Sequence, residues 1–413
     1  MSQLNENDIE WFYKAAVDGN CNVIAVYVGR GAINQVLEGR CATALIIAID
    51  NSRAEVVKLL LRNGASWMCA ESILGLTPLQ LACRSNNVEI VKLLCDAGAL
   101  SRTVMSNGFP HPLWIATHNS CLEVMKVLLD AGANPNELTP YEGVSALHKA
   151  TEDKNIEVMK VLIDAGAKID VLTVNIPHAK YCVGTTPLCI AAADNYTAGV
   201  ELLLAKGADY NIQVEKGGSP LFLSASRGRL DVLKLFHEAG ANLNVKGNSS
   251  TLLCQALVFG KTQVVNYLLD NGADVRFEGK DGMTPFKCAI YSDFDDHVQL
   301  LIDKDAGLVN LAIKEDGVEK LPIFHAIEEN KINAARILLD NGAGIHTQNG
   351  ATVLHLAARL GNMEMVKLML VKGVKNTGGA PPHNNCFPIH VAVDNGHTEI
   401  VKLLLENGAD IDS

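Results

Sequence analysis

Residues 386–412 read CFPIHVAVDNGHTEIVKLLLENGADID, and residues 76–100 read LTPLQLACRSNNVEIVKLLCDAGAL. Both stretches open on a Pro-hydrophobic pair, run through a short apolar segment to a polar turn, resume with an apolar stripe and close near a Gly-Ala pair. Pro388 stands where a first helical turn tolerates a missing N–H, and His390 through Asp394 continue a short helix that Asn395 and Gly396 end. In the second segment Ile400, Val401, Leu403, Leu404 and Leu405 form a stripe too broad for one neighbouring helix to cover. Gly408 then supplies the left-handed C-cap conformation.

The same unit recurs along the chain. A Gly-Ala pair closes an apolar run at Gly31, Gly64, Gly98, Gly132, Gly166, Gly207, Gly240, Gly272, Gly342 and Gly408, mostly at steps of about 32 to 35 residues. A Thr-Pro-Leu-like start keeps the same step at Thr43, Thr77, His111, Ser145, Thr186, Ser219, Thr251, Thr284, Leu321, Thr352 and Phe387. Helices this short, below the ~12 to 15 residues at which isolated helices become marginal in water, exist only when packed on neighbours. The unit resembles the ankyrin repeat, with its TPLHxA start and GAD-type ending, and the resemblance covers residues 9 to 412 in twelve units. It implies an all-α fold: an ankyrin-repeat solenoid of stacked helix-turn-helix units with finger loops.

Departures from the period set the expected boundaries. Residues 1–34, with Trp11, Phe12 and Tyr13 on the opening helix, read as an N-terminal capping repeat, and residues 35–305 as repeats two to nine. In the ninth, Asp293 replaces the inter-helix Gly and Asp305 the closing Gly, so residues 306–320 read as an irregular connection before repeats ten to twelve at 321–413. The step from Gly166 to Gly207 is longer, and residues 171–184 read as an extended finger loop. Residues 372–386, with Gly-Gly and Pro-Pro pairs, read as an irregular loop.

Composition narrows the function classes. The formal net charge is -11, without a Lys/Arg cluster interleaved with aromatics, which argues against a nucleic-acid partner. The opening MSQLNENDIEW lacks the basic start and apolar core of a signal peptide, and no apolar run is long enough for a membrane span. The 11 cysteines are scattered without a CxxC pair, which suits a reducing compartment, the cytoplasm.

Chemical motifs are weak. His148, His355 and His390 fall in the fourth place of the TPLH-like motif, where the resemblance implies an imidazole that ties neighbouring loops by hydrogen bonds; zinc spacing is lacking. Gly260-Lys261-Thr262 looks like the end of a phosphate-binding loop, but Gln255 stands where that loop needs Gly, and an inter-helix turn is the expectation. Asp293, Asp295 and Asp296 lack the turn Gly and terminal Glu of an EF-hand and read as a solvated helix start. Cys83, Cys189, Cys254 and Cys288 fall at core positions of first helices. No catalytic residue, cofactor or metal is assigned, and no stretch of about 50 residues is left for an independent enzyme domain.

The resemblance places partner contacts on the loop tips and the exposed end of each first helix. At helix ends these positions are Arg84, His118, Glu152, Asp153 and Asp194, then Arg227, Phe259, Tyr291 and Arg359. In the loops, Trp67, Ile73, Leu74 and Leu76 form an apolar cluster that either anchors a partner or packs on the adjacent loop. Tyr181 lies near the tip of the long finger. Tyr141, Glu142, Glu152 and Asp153 form an acidic segment with an aromatic edge that suits a basic segment of a partner, with solvent-facing charge as the other reading. The expected function is a monomeric, non-enzymatic scaffold or adaptor that binds another protein. Alternatives are the targeting arm of a longer enzyme or of a ubiquitin-ligase or kinase-type complex, and a bacterial effector acting in a host cytosol.

Overall fold

The computed structural model describes residues 6–35, 42–68, 75–102, 110–140, 142–174, 182–214, 218–247, 250–279, 282–292, 294–315, 318–346, 351–376 and 386–409. Among these residues lie 24 α-helices, which pair in sequence order into hairpins from Glu6–Asp18 and Cys21–Gly29 to Pro388–Asp394 and Thr398–Glu406.

Each hairpin is built from local chemistry that repeats. In the third, Thr77 caps the helix Pro78–Arg84: its side chain accepts from the Gln80 N–H at 3.3 Å, while the Gln80 side-chain oxygen Oε1 accepts from the Thr77 N–H at 2.8 Å. Pro78 occupies the first turn, and six of the seven residues of this helix are buried. The second helix, Val88–Asp96, buries a narrower stripe, Ile90, Val91 and Leu94. The same i, i+1, i+4 pattern returns as Val56, Val57 and Leu60 and as Val124, Met125 and Leu128. In the last hairpin only Ile400 and Leu404 of the expected stripe are buried.

Both ends of a hairpin close with one device. After the helix Ala54–Arg62, the Gly64 N–H donates to the Leu61 carbonyl and the Ala65 N–H to Leu60, the paired bonds of a Schellman cap, with Gly64 at φ +85°. The inter-helix turn does the same: the Ser52 N–H donates to Ile49 and the Arg53 N–H to Ala48. Here the left-handed residue is often not glycine, being Ser52, Asn86, Ser120, Lys154, Asn195 or Asn330.

The chain divides into two compact units, Met1–Pro220 and Leu221–Ser413. Within the first, each first helix packs on the first helix of the next hairpin, from Glu6–Asp18 to Pro187–Ala193, and second helices pack likewise from Cys21–Gly29 to Ile156–Asp164. Phe12 and Tyr13 of the opening helix are buried, and the Tyr13 hydroxyl donates toward the Gln35 and Ala42 carbonyls, while Trp11 stands outside the core. Within the second unit the same stacking runs from Leu252–Val258 to Pro388–Asp394. Loop asparagines tie hairpins together: the Asn136 amide donates to the Gly166 carbonyl and its oxygen accepts from the Lys168 N–H, and Asn244 and Asn310 bridge in the same way to the next hairpin. On the other flank, second helices carry internal ion pairs, Glu123 to Lys126, Glu157 to Lys160 and Glu364 to Lys367.

The ninth hairpin departs from this scheme. Asp305 is extended, not left-handed, and caps a 3-10 turn, Ala306–Asn310, by accepting from the Gly307 N–H at 3.0 Å. Arg276 donates to the other oxygen of Asp305 at 2.6 Å. A two-stranded antiparallel ladder follows, Ile313–Glu315 on Val318–Lys320, with Ile313 opposite Lys320 and Lys314 opposite Glu319. The segment read as irregular therefore has regular pieces, and Asp295 and Asp296 fall in the first turn of the helix Asp295–Lys304.

Candidate partner-binding surface

Except in the ninth hairpin, where Ser292 is extended, the last turn of most first helices is held by buried neighbours and the Schellman turn beyond it. In the first unit this places Arg84, His118, Asp153 and Asp194 in solvent, with Glu152 half-buried. The His118 ring stacks on Trp114 at a centroid distance of 5.2 Å and an interplanar angle of 11°. Trp114 was not among the sequence candidates, although its four-residue spacing from His118 signals a shared helix face.

The acidic segment is not bare. Lys149, one turn earlier, donates to Asp153 at 2.8 Å and lies 3.6 Å from Glu152, with only 14% of its side chain exposed. Two carboxylates thus share one cation, and the charge offered to a basic segment is smaller than the sequence reading assumed.

In the second unit Arg227 and Arg359 are exposed and Phe259 is 51% exposed. Tyr291 is half-buried and engaged: the Lys287 ammonium lies 5.4 Å from its ring centroid, and its hydroxyl meets His325 Nδ1 at 3.2 Å. Gly260, at φ +64°, and Lys261 form the turn between the helices Leu252–Val258 and Thr262–Asp270, so the phosphate-loop likeness is a helix-hairpin turn.

The loop candidates separate. Trp67 is half-buried, and the Ser66 N–H beside it donates to Asn34 of the preceding hairpin at 2.8 Å. Leu76 is 6% exposed and belongs to the core, which corrects its place in an exposed cluster. Ile73, Leu74, Tyr141 and Tyr181 lie outside the described residues. The long finger is closed at its base, where Thr173 Oγ1 donates to the Cys182 carbonyl at 2.6 Å and accepts from the Thr185 N–H at 3.0 Å.

Buried histidines stitch one hairpin to the next. His148 Nδ1 accepts from the Ser145 N–H at 3.1 Å, and Nε2 lies 2.9 Å from the Thr185 carbonyl, so the proton sits on Nε2. His355 repeats this between Thr352 and Cys386, and Gln80 does so between Thr77 and Pro110. His111, an N-cap residue, bonds the Trp114 N–H and the Glu137 carbonyl. Burial outweighs these bonds and lowers His111 and His148 to about 4. Burial also pushes up the Cys83 and Cys189 thiols, the opposite of what a nucleophile needs.

A tandem array of capped helix hairpins, bridged loop to loop, defines a repeat protein. The family model for Ankyrin repeats (3 copies) matches residues 12–105, 113–214, 171–247, 188–278, 221–313, 253–349 and 323–413. The chain belongs to the ankyrin repeat family, whose repeats are protein–protein interaction modules rather than catalysts. It is 31% identical over 147 residues to an ankyrin repeat protein of Fowlpox virus (strain NVSL), covering 35% of this chain and 100% of that one. It is 29% identical over 201 residues to the B-cell lymphoma 3 protein homolog of Mus musculus, covering 46% of this chain and 44% of the relative. The chain therefore spans less than half the length of the mouse relative. The crystal structure of the ankyrin repeat domain of Bcl-3 aligns with a TM-score of 0.48 at 24% identity, covering 54% of this chain and 97% of that domain. Among the described residues no helix is long and apolar enough to cross a membrane.

Proposed function

We propose that the chain is a non-enzymatic scaffold or adaptor that holds a partner protein against the exposed ends of its first helices and the adjoining loops. One observation carries this reading: within a framework whose caps, turns and core repeat closely, the exposed last-turn position changes from Arg84 to His118 and from Arg227 to Glu328 to Arg359. The framework needs none of these side chains for stacking, and such positions are free to encode recognition. Scattered free cysteines support a reducing compartment, which we take to be the cytoplasm.

Affinity capture from a lysate of the source cells tests the reading. We expect Arg84→Glu with His118→Glu, or Arg359→Glu, to lower recovery of at least one reproducible partner about tenfold or more, with the melting curve unchanged. Full retention of every partner by all of these variants overturns it.

A further inference from the structure

Two departures from the polar character of these surfaces meet at one place in the second unit. Val258 and Phe259 end a first helix and are 46% and 51% exposed. The matching pairs elsewhere are mostly polar, as in Arg84-Ser85, Glu152-Asp153 and Glu328-Glu329, and where one apolar side chain is exposed, Leu360, it follows Arg359. The residue before the next second helix is Phe294, 42% exposed, where other hairpins use Lys261, Asn362 or His397. Its ring lies directly on Gly260: a Cβ there would come within 2.1 Å of it. Val258 and Phe259 precede Gly260 in the chain and Phe294 covers it, so the three side chains make this turn an apolar ledge.

The fold does not require this ledge. The Lys261 stem covers Gly228, where an added Cβ would meet it at 2.9 Å, and the His397 ring covers Gly361 at 2.6 Å. Either side chain does what Phe294 does for the turn without presenting an apolar ring to water. Opposite charges flank the ledge. Exposed Arg227 and the Lys261 turn lie on the side of the preceding hairpin, and Glu328 and Glu329 end the first helix of the following one. Lys320 already pairs with Glu328 at 2.8 Å, which leaves exposed Glu329 for an incoming cation.

We propose that the ledge takes a peptide segment of a partner protein that presents one bulky apolar anchor between a carboxylate and a cation. The carboxylate meets Arg227 and Lys261, the anchor sits on Phe259 and Phe294, and the cation meets Glu329. Arg227 and Glu329 belong to the seventh and tenth hairpins, three helix layers of ~8–10 Å apart, with Phe259 and Phe294 on the two hairpins between, so about four residues of extended chain at ~3.3 Å each separate the anchor from either charge. The proposal rests on the partner-binding reading above and names the partner's chemistry at this one site.

Fluorescence anisotropy with four labelled peptides tests it: Asp-x-x-x-Phe-x-x-x-Lys, the same frame with Asp at both ends, with Lys at both ends, and with Ala for the central Phe, x being Ser or Gly. The mixed-charge Phe peptide should bind the full chain at least about fivefold tighter than the other three. Phe259→Ser should weaken it about tenfold or more, alone or with Phe294→Ser, at an unchanged circular-dichroism melt. Arg227→Glu with Lys261→Glu should move the preference to the peptide with Lys at both ends. Equal affinity for all four peptides, or affinity that Phe259→Ser leaves unchanged, overturns the proposal. If that happens while Arg84→Glu with His118→Glu still strips native partners, only the ledge falls; if both sets of variants are silent, the partner-binding reading falls with it.

Discussion

His148 shows how much of the stacking rests on single polar atoms. Its ring is fully buried and joins Ser145 to Thr185, so removing it leaves a donor and an acceptor without partners as well as a cavity. We expect His148→Ala to cost about 2–5 kcal/mol in urea unfolding, whereas His148→Gln should cost less than about 1.5 kcal/mol because Gln80 already plays the same two-ended part. The titration follows from the same bonds. Folded His111 and His148 titrate at about 4, below their unfolded value, so between pH ~6.5 and ~4 the unfolded chain binds protons that the folded one refuses. Stability should therefore be flat above pH ~7 and fall as acid is added, by up to about 1.4 kcal/mol per histidine per pH unit within that window. Urea midpoints that do not move between pH 7.5 and 5 would contradict this assignment. The imidazole ties were legible from the repeated fourth-place histidine. Lys149 between Glu152 and Asp153 was also legible, from helical i, i+3 and i, i+4 spacing, whereas the Phe294 contact with Gly260 depends on two hairpins meeting and leaves no local trace.

The hairpin closes on left-handed residues at both ends, yet only one end insists on glycine. Ser52, at φ +56°, bears a strain that glycine lacks, so Ser52→Gly should be neutral to stabilising, by up to about 1 kcal/mol after the unfolded-state entropy of glycine is counted. Gly64→Ala, at φ +85° with open space around the new methyl, should destabilise by about 1–2 kcal/mol through backbone strain alone. Comparing the two by chemical denaturation separates conformation from packing. Helix starts and stops were readable because Thr-Pro and Gly-Ala act within a few residues of where they stand. The ladder at Ile313–Glu315 and Val318–Lys320 was missed, although the Asp316-Gly317 pair between alternating segments is a recognised hairpin signature, because a helical period dominated the surrounding sequence.

Each unit is held by neighbour-to-neighbour bonds between equivalent positions, as in Asn136 to Gly166 and Asn244 to Gly272. Deleting residues 112–145, which joins His111 to Ala146 in register, should accordingly leave a folded, cooperatively melting protein with one hairpin less of helical signal. Loss of the whole helical signal would show that bonds beyond adjacent hairpins matter. At this scale the number of hairpins was legible, since two landmarks share one period. The identity of the partner was not, because recognition lies in the positions that the period leaves unconstrained. The second-helix flank has a practical consequence of its own. There Glu123 and Lys126, or Glu157 and Lys160, neutralise each other within a single helical turn, so approaching molecules meet a lattice of small local dipoles with little far field. A dye or surface linker anchored on that flank would orient the opposite edge outward without adding or removing any charge that a visitor reads.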